Sequence, residues 1–176
     1  MDCTFYTEEG KFNLRVGAVI TDGKRVLVTD YGSAVDFYTV IGGRVHFGET
    51  AEAAVVREIQ EELGVKAEID RLYSLEEKFF RVGETVYHEI EFLFLIKPFD
   101  ITKIDYDAIH CDGENSNIVW LDLDKTPDRP VFPRHLFKAA SDPDDGVQFM
   151  VRNDFFIRIT GGFLPEDQAA GHFHRR

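Results

Sequence analysis

Apolar and polar positions alternate in several short stretches of the chain, a pattern that is typical of β-strands. Residues Leu14–Thr21 and Arg25–Thr29 flank the turn-forming sequence Asp-Gly-Lys at 22–24, which predicts a hairpin. Residues 97–116 lack a regular period and are predicted to be mostly loop. The remaining predicted strands of this part of the chain are Phe37–Ile41, Val65–Phe80, Thr85–Ile96 and Asn117–Leu121.

One stretch, Thr50–Leu63, has the period of an α-helix instead. Its apolar residues recur every four positions and form one stripe, which is expected to face the core. Thr50 is placed to cap the helix N-terminus, and Gly64 is placed to end the helix in a left-handed conformation. The apolar stripe consists of Ala51, Val55, Ile59 and Leu63.

The C-terminal part predicts a second helix and a second hairpin. Arg134–Ala140 is predicted to be helical, with Pro133 in the first turn. Val147–Val151 and Phe155–Thr160 are predicted to pair as a terminal hairpin. The order of elements indicates a mixed α/β fold of the α+β type. We expect one domain over residues 1–176, in which 141–176 form a hairpin and tail extension.

Composition and charge restrict the class of protein. The chain has 176 residues, of which 44% are hydrophobic and 30% are charged, as in soluble globular proteins. The net charge of −12 argues against non-specific binding to nucleic acid or to anionic membranes. The longest apolar run, Phe92–Ile96, is far shorter than a membrane span, and no signal peptide is visible. Cys3 and Cys111 have no metal-site spacing, so we expect a cytoplasmic protein.

The predicted helix carries a costly concentration of like charge. Glu58, Glu61 and Glu62 share an arc of about 100° around the helix, where they repel one another. Arg57 relieves part of this repulsion, and a divalent cation would relieve more. Carboxylate oxygens without interleaved His or Cys favour Mg²⁺, Mn²⁺ or Ca²⁺ over Zn²⁺. A solvated acidic helix face is the alternative that these three glutamates alone leave open.

The spacing around the glutamates resembles the signature of the Nudix (MutT-like) hydrolases. Gly43 is followed after five residues by Glu49, and after seven more by the sequence Arg-Glu-Ile-Gln-Glu-Glu-Leu-Gly-Val at 57–65. Every specified position of the signature is matched over residues 43–65. The likeness extends over about 12–140, with one departure at Ile41, where the family commonly has Pro. The resemblance implies a Nudix fold, which is a mixed β-sheet sandwiched between helices.

The resemblance also implies a reaction, the hydrolysis of a nucleoside diphosphate linked to another moiety X, with Mg²⁺ or Mn²⁺ as cofactor. It places Glu61, Arg57 and Glu49 in the catalytic machinery, with Arg57 to orient the glutamates and Glu49 to hold Arg57 or a second metal. Members of the family use different glutamates as general base, and Glu61 is our prediction within the signature. The metal ligands that it implies are Glu58, Glu61, Glu62 and the carbonyl of Gly42.

The sequence leaves two possible roles open for several further residues. Arg44 could contact a substrate phosphate or only face solvent, and Glu114 could be a further metal-binding or basic glutamate or a solvated loop acid. Glu89 and Glu91 share one face of a predicted strand and are expected to face water rather than line a cleft. The region 125–160 could support a homodimer or cover the cleft.

Two further functions compete with the hydrolase. A Nudix module could bind a small nucleotide derivative without cleaving it, and an isomerase could share the fold. The complete set of signature glutamates favours the enzyme over the binding module, and no Cys-bearing motif supports the isomerase. The sequence does not identify X, because the segments expected to recognise it lie outside the signature.

Overall fold

Two β-sheets form the framework of the protein, and a helix packs on each side of them. The computed structural model describes residues 1–32, 35–104, 106, 116–144 and 146–154. Within these residues the helices are α1 (Ala51–Leu63) and α2 (Leu136–Ser141). The strands are β1 (Thr4–Tyr6), β2 (Lys11–Val19), β3 (Arg25–Asp30), β4 (Tyr38–Val40), β5 (Ile69–Val82), β6 (Thr85–Ile96), β7 (Asn117–Asp122), β8 (Val131–Phe132) and β9 (Gln148–Asn153).

Both sheets mix parallel and antiparallel pairs. The five-stranded sheet has the order β1-β2-β6-β5-β9, and the four-stranded sheet has the order β7-β3-β4-β8. The pairs β2/β6, β5/β9 and β4/β8 are parallel, whereas the other pairs are antiparallel. Strand β2 lies between β1 and β6, and its last four residues are all buried, as expected of a strand covered on both faces.

Two apolar cores lie on opposite sides of the sheets, because successive strand residues point to opposite faces. On β2, Val16 and Ala18 belong to the core under α1, and Val19 belongs to the core under α2. The layer of sheets is therefore enclosed between the two helices, and the expected mixed α+β fold is confirmed. The α1 core includes Ala54, Val55, Ile59, Leu63, Leu27, Phe94 and Ile96; the α2 core includes Leu136, Ala139, Val26, Val28, Val40, Tyr73 and Leu93.

The prediction that Leu14–Thr21 and Arg25–Thr29 pair as a hairpin is wrong. The two strands exist as β2 and β3, but they lie in different sheets. Their backbones are joined beside the turn, where Thr21 bridges to Val26 and the Leu27 N–H donates to the Ile20 carbonyl at 2.9 Å. Because β2 is buried on both faces, its edges are used by β1, β6 and the loop that follows β4 rather than by a hairpin partner.

Helix α1 begins and ends where the sequence predicts. The Thr50 side chain accepts a hydrogen bond from the Ala53 N–H at 3.1 Å, and Gly64 has a left-handed φ of 70°. The apolar stripe is buried, with Val55, Ile59 and Leu63 fully inaccessible to solvent. This packing fixes which face of α1 is available for chemistry.

The C-terminal elements differ more from the prediction. Helix α2 starts at Leu136 instead of Arg134, and Pro133 lies in a turn that precedes it. The first strand of the predicted terminal hairpin is β9, which pairs in parallel with β5. Its predicted partner, Phe155–Thr160, lies outside the described residues. The expected loop at 97–116 contains a short 3₁₀ turn at Ile101–Lys103. Neither described helix is long and apolar enough to cross a membrane.

Candidate active site

The loop between β4 and α1 is fastened to the edge of β2. The Ala18 N–H donates to the Ile41 carbonyl at 2.8 Å, and the Val16 N–H donates to the Gly43 carbonyl at 2.9 Å. Gly42, between these two bonds, has a φ of 147°, and a Cβ atom there would lie 2.2 Å from the Val16 carbonyl oxygen. Only glycine therefore lets the loop approach β2 this closely.

Gly43 forms a cradle for the carboxylate of Glu58. A Cβ atom at Gly43 would lie 2.3 Å from Glu58 Oε1 and 2.5 Å from Glu58 Oε2, so the carboxylate occupies the space that a side chain would fill. The Glu58 side chain is 13% exposed, and burial raises its pKa, although the charge of Arg57 opposes this shift. The loop and α1 thus meet at a partly buried carboxylate.

Arg57 is the centre of the hydrogen-bond network on this side of α1. Its Nε and Nη2 donate to the two carboxylate oxygens of Glu49 at 2.9 and 3.0 Å. Its Nη1 donates to Glu58 at 2.8 Å and to Glu61 at 3.0 Å, and Nη2 also reaches the Arg44 carbonyl at 2.9 Å. One guanidinium therefore connects the loop to two of the clustered glutamates, and its hydrogen bonds to Glu49 raise its pKa.

Glu49 is held from both sides. It accepts the hydrogen bonds of Arg57, which lower its pKa, and it also accepts a hydrogen bond from the His46 N–H at 3.0 Å. The side chain thereby closes a turn just before α1. Both Glu49 carboxylate oxygens thus bind the Arg57 guanidinium.

The clustered glutamates differ in exposure. The Glu61 side chain is 56% exposed, whereas Glu62 is 8% exposed. In the described part of the chain, no three His, Cys, Asp or Glu side chains already converge as a preformed metal site would require. The donor set nevertheless fits a hard divalent cation, because three carboxylates lie within five positions of one helix beside the Gly43 cradle.

The other predicted site residues have different positions. Arg44 donates to Asp2 through Nη1 at 3.1 Å, and the backbone of Arg44, rather than its side chain, contacts Arg57. Glu114 lies outside the described residues. Gly42 lies against β2, and the next residue of the loop, Gly43, borders Glu58.

The expectation that Glu89 and Glu91 face water is wrong. Each is 5% exposed, and both lie on the face of the five-stranded sheet that also carries Arg15. Burial lowers the pKa of Arg15, but the neighbouring carboxylates, chiefly those of Glu89 and Glu91, outweigh it and raise that pKa. The alternation of these glutamates along β6 showed in the sequence that they share one face, but not that this face is buried.

The chain is similar to known proteins in sequence and in fold. A family model described as the NUDIX domain matches residues 11–140. A curated protein of Xenopus laevis, nucleoside diphosphate-linked moiety X motif 6, is 28% identical over 109 residues, which cover 61% of this chain and 48% of that protein. The chain thus spans about half the length of this relative.

Two solved structures are similar in fold. A MutT protein from Bacillus halodurans has a TM-score of 0.63 at 17% identity, covering 81% of this chain and 90% of that chain. An ADP-ribose pyrophosphatase from Streptococcus suis has a TM-score of 0.50 at 15% identity, covering 79% of this chain and 98% of that chain. The match to the family model confirms the resemblance found in the sequence. The chain belongs to the NUDIX domain family, the family of the Nudix pyrophosphohydrolases.

Proposed function

We propose that this member of the family is a divalent-metal-dependent hydrolase that cleaves the pyrophosphate linkage of a nucleoside diphosphate joined to another moiety X. The observation that carries the proposal is the seating of the Glu58 carboxylate in the Gly43 cradle, beside Glu61 on the same helix. The Xenopus laevis relative is named for a nucleoside diphosphate-linked moiety, and the Streptococcus suis structure is described as an ADP-ribose pyrophosphatase. Both descriptions favour the same substrate class.

Mg²⁺ or Mn²⁺ is the proposed cofactor. Glu58, Glu61 and Glu62 would hold it, together with the Gly42 carbonyl. A bound divalent cation would neutralise charge on the phosphoryl oxygens and polarise the bond to be broken. The choice of a hard cation follows from the all-oxygen donor set.

Arg57 positions the site and does not take part in the chemistry. Its rigid fork spans Glu49 and Glu58, which fixes the carboxylate of Glu58 relative to the loop. Glu61 is the proposed general base, because its carboxylate is more exposed than that of Glu58 or Glu62 and can reach a water molecule. Arg57 donates to Glu61 at 3.0 Å, which orients the Glu61 carboxylate.

The test is a hydrolysis screen with product identification. Nucleoside diphosphate derivatives and nucleoside triphosphates are incubated with Mg²⁺ or Mn²⁺, and the products are assigned by mass spectrometry. We expect phosphate-containing products, and Glu61→Gln should lower turnover by about 10²- to 10⁴-fold. Glu52→Gln, an exposed position in the first turn of the same helix, is the matched control and should keep wild-type turnover. Intact substrates with both metals would exclude the enzyme.

A second measurement tests the metal site without catalysis. Because a ligand that binds only the folded state stabilises it, millimolar Mg²⁺ or Mn²⁺ should raise the melting temperature of the wild type. The Glu58→Gln/Glu62→Gln double variant should lose this increase. An equal increase in both proteins would place the metal elsewhere.

The non-catalytic nucleotide-binding module is the alternative to the enzyme. Such a module needs no ordered base and no metal carboxylates, yet the Arg57 network holds Glu49, Glu58 and Glu61 in place. This arrangement favours hydrolysis. The homodimer and the cytoplasmic location stay predictions from the sequence.

A further inference from the structure

Three backbone segments close on one another beside the Gly43 cradle. The Cys3 N–H donates to the Val45 carbonyl at 2.7 Å, the Val45 N–H donates to the Leu14 carbonyl at 3.0 Å, and the Leu14 N–H donates to the Cys3 carbonyl at 3.0 Å. These bonds form a ring in which the loop is fastened both to β2 and to residues 1–3. Because the ring satisfies backbone groups of all three segments, the position of residues 1–3 is coupled to that of the loop.

The Asp2 carboxylate joins the same segments through side chains. Asp2 forms a β-bridge with His46, and its Oδ2 accepts a hydrogen bond from Arg44 Nη1 at 3.1 Å. The His46 Nε2 atom lies 3.5 Å from Asp2 Oδ1. Within the described part of the chain, Arg44 forms no other ion pair. Asp2 therefore holds the side chains of the two residues that flank Val45 in the loop.

The backbones of Arg44 and His46 continue this contact into the network of Arg57. The Arg44 carbonyl accepts a hydrogen bond from Arg57 Nη2 at 2.9 Å, and the His46 N–H donates to Glu49 Oε2 at 3.0 Å. Arg57 Nη2 also donates to Glu49 Oε2, at 3.0 Å. Asp2 is thus connected to the Arg57–Glu49 pair along two routes, one through each of its partners in the loop.

The side chains of Asp2, Arg44 and His46 lie at the protein surface, whereas those of Arg57 and Glu49 are more buried. The first three are 37%, 40% and 43% exposed, and the other two are 21% and 16% exposed. Partly exposed ion pairs contribute little to the free energy of unfolding. A change at Asp2 can therefore loosen the loop without unfolding the protein.

Resting on the proposed function, we propose that Asp2 is a positioning residue of the hydrolase. It fixes Arg44 and His46 in the loop. Their backbone groups hold the Arg57–Glu49 pair, which in turn orients the glutamates of α1. A residue outside the Nudix signature thereby supports the catalytic geometry. The competing role for Asp2 is to occupy the Arg44 guanidinium, which would otherwise bind a substrate phosphate.

The kinetic test replaces Asp2 by asparagine and uses the substrate that the hydrolysis screen shows to be cleaved fastest. We expect kcat to fall about 3- to 5-fold with KM unchanged, as for the loss of partly exposed ion pairs that act on the catalytic step. Asp2→Glu keeps the charge and should hold kcat within about twofold of the wild type. Glu8→Gln, an exposed position in the same part of the chain, changes the net charge equally and should leave kcat unchanged.

Three kinetic results would overturn the proposal. One is an unchanged kcat in Asp2→Asn. The second is a lowered KM with unchanged kcat, which would show that the Arg44 guanidinium had been released to bind a phosphate. The third is an equal loss of kcat in Asp2→Asn and Asp2→Glu, because the charge of Asp2 would then not be what matters.

A double-mutant cycle tests whether Asp2 acts through Arg57. If it does, Asp2→Asn should lower kcat by less than about 1.5-fold in the Arg57→Lys background, compared with about 3- to 5-fold in the wild-type background. The same fold-change in both backgrounds would mean that the two residues act independently. That result would contradict the proposed route from Asp2 to the glutamates.

Amide exchange measures the loop without any catalysis. Exchange of backbone amides with deuterium is followed by NMR in the wild type, Asp2→Asn and Glu8→Gln. The amides of His46 and Phe47 both report on this junction, because each donates one of its hydrogen bonds. We expect exchange at these two amides to be about 3-fold faster or more in Asp2→Asn and unchanged in Glu8→Gln.

The exchange data separate this inference from the proposed hydrolysis. Faster exchange at 46 and 47 in Asp2→Asn, with no hydrolysis by the wild type, would support the coupling of Asp2 to the loop and refute only the proposed function. Unchanged exchange at both amides would overturn the role of Asp2 even in an active hydrolase. Faster exchange spread over the whole chain would indicate a general loss of stability and would also overturn that role.

Discussion

Replacing Gly43 by alanine should damage activity while leaving the fold intact. The added Cβ would lie 2.3 Å from Glu58 Oε1, whereas ordinary van der Waals contact begins at 3.4 Å, so the carboxylate must retreat by about 1 Å. A displacement of about 1 Å in a catalytic site can cost about 10²-fold in rate. We therefore expect kcat/KM to fall about 100-fold in Gly43→Ala.

The fold should tolerate this substitution because the atoms that must move end a flexible side chain. Gly43 is not among the glycines with positive φ, so alanine can adopt its backbone conformation. Gly42→Ala provides the contrast. Its Cβ would lie 2.2 Å from the Val16 carbonyl oxygen at a φ of 147°, and the backbone cannot retreat without breaking the adjoining hydrogen bonds. We expect Gly42→Ala to cost about 2 kcal/mol, or roughly 4–8 °C in melting temperature.

The assay measures initial hydrolysis rates and thermal unfolding on the same samples of wild type and both variants. The reasoning predicts a loss of activity with an unchanged melting temperature for Gly43→Ala, and a lowered melting temperature for Gly42→Ala. Full activity in Gly43→Ala would refute the idea that the seating of Glu58 matters. If the melting temperature of Gly43→Ala fell as far as that of Gly42→Ala, the Glu58 carboxylate would be shown not to move aside.

Three other variants test separate contacts. Arg57→Lys keeps the charge but loses the fork that joins Glu49 to Glu58, so turnover should fall about 10-fold or more in the same hydrolysis assay. Thr50→Ala removes the N-cap of α1 and should lower the free energy of unfolding in urea by about 1 kcal/mol. Arg129 donates to both carboxylate oxygens of Asp30 and lowers the pKa of Asp30 in the folded protein. Because the pKa of Asp in the unfolded chain is about 3.9, the pair stabilises the fold fully above that pH. The stabilisation is lost as the pH falls through the lower pKa of the folded protein. Asp30→Asn should therefore lower the free energy of unfolding by about 1–2 kcal/mol at pH 7. In chemical denaturation, the difference between the variant and the wild type should shrink below about pH 4. A difference that does not change with pH would contradict this assignment.

The helix and its loop could be predicted from the sequence because their determinants are local. The cap at Thr50, the left-handed residue Gly64 and the four-residue apolar period all act within α1. The spacing of the Nudix signature likewise lies in one continuous segment. The contact between Gly43 and Glu58 follows once α1 folds back over the loop.

The polar sheet face could not be predicted, since it depends on pairing between distant strands. Alternation places Glu89 and Glu91 on one face of β6, but it does not say whether that face is covered. Only the parallel register with β2 brings Arg15 opposite Glu91, and only the antiparallel register with β5 brings Lys78 opposite Glu89. The hairpin prediction failed for a related reason: the short turn after β2 is compatible with paired strands and also with strands that diverge into two sheets.

Strand β2 is the support of the proposed metal site. Its backbone fixes the loop through the hydrogen bond from the Val16 N–H to the Gly43 carbonyl, and Arg15, one residue earlier, pairs with Glu91 on the polar face of the five-stranded sheet. A shift of β2 would therefore move the loop that borders the Glu58 carboxylate. The position of this carboxylate is thus set by a strand whose last four residues are all buried, which is the arrangement that holds a metal-binding side chain in a fixed place.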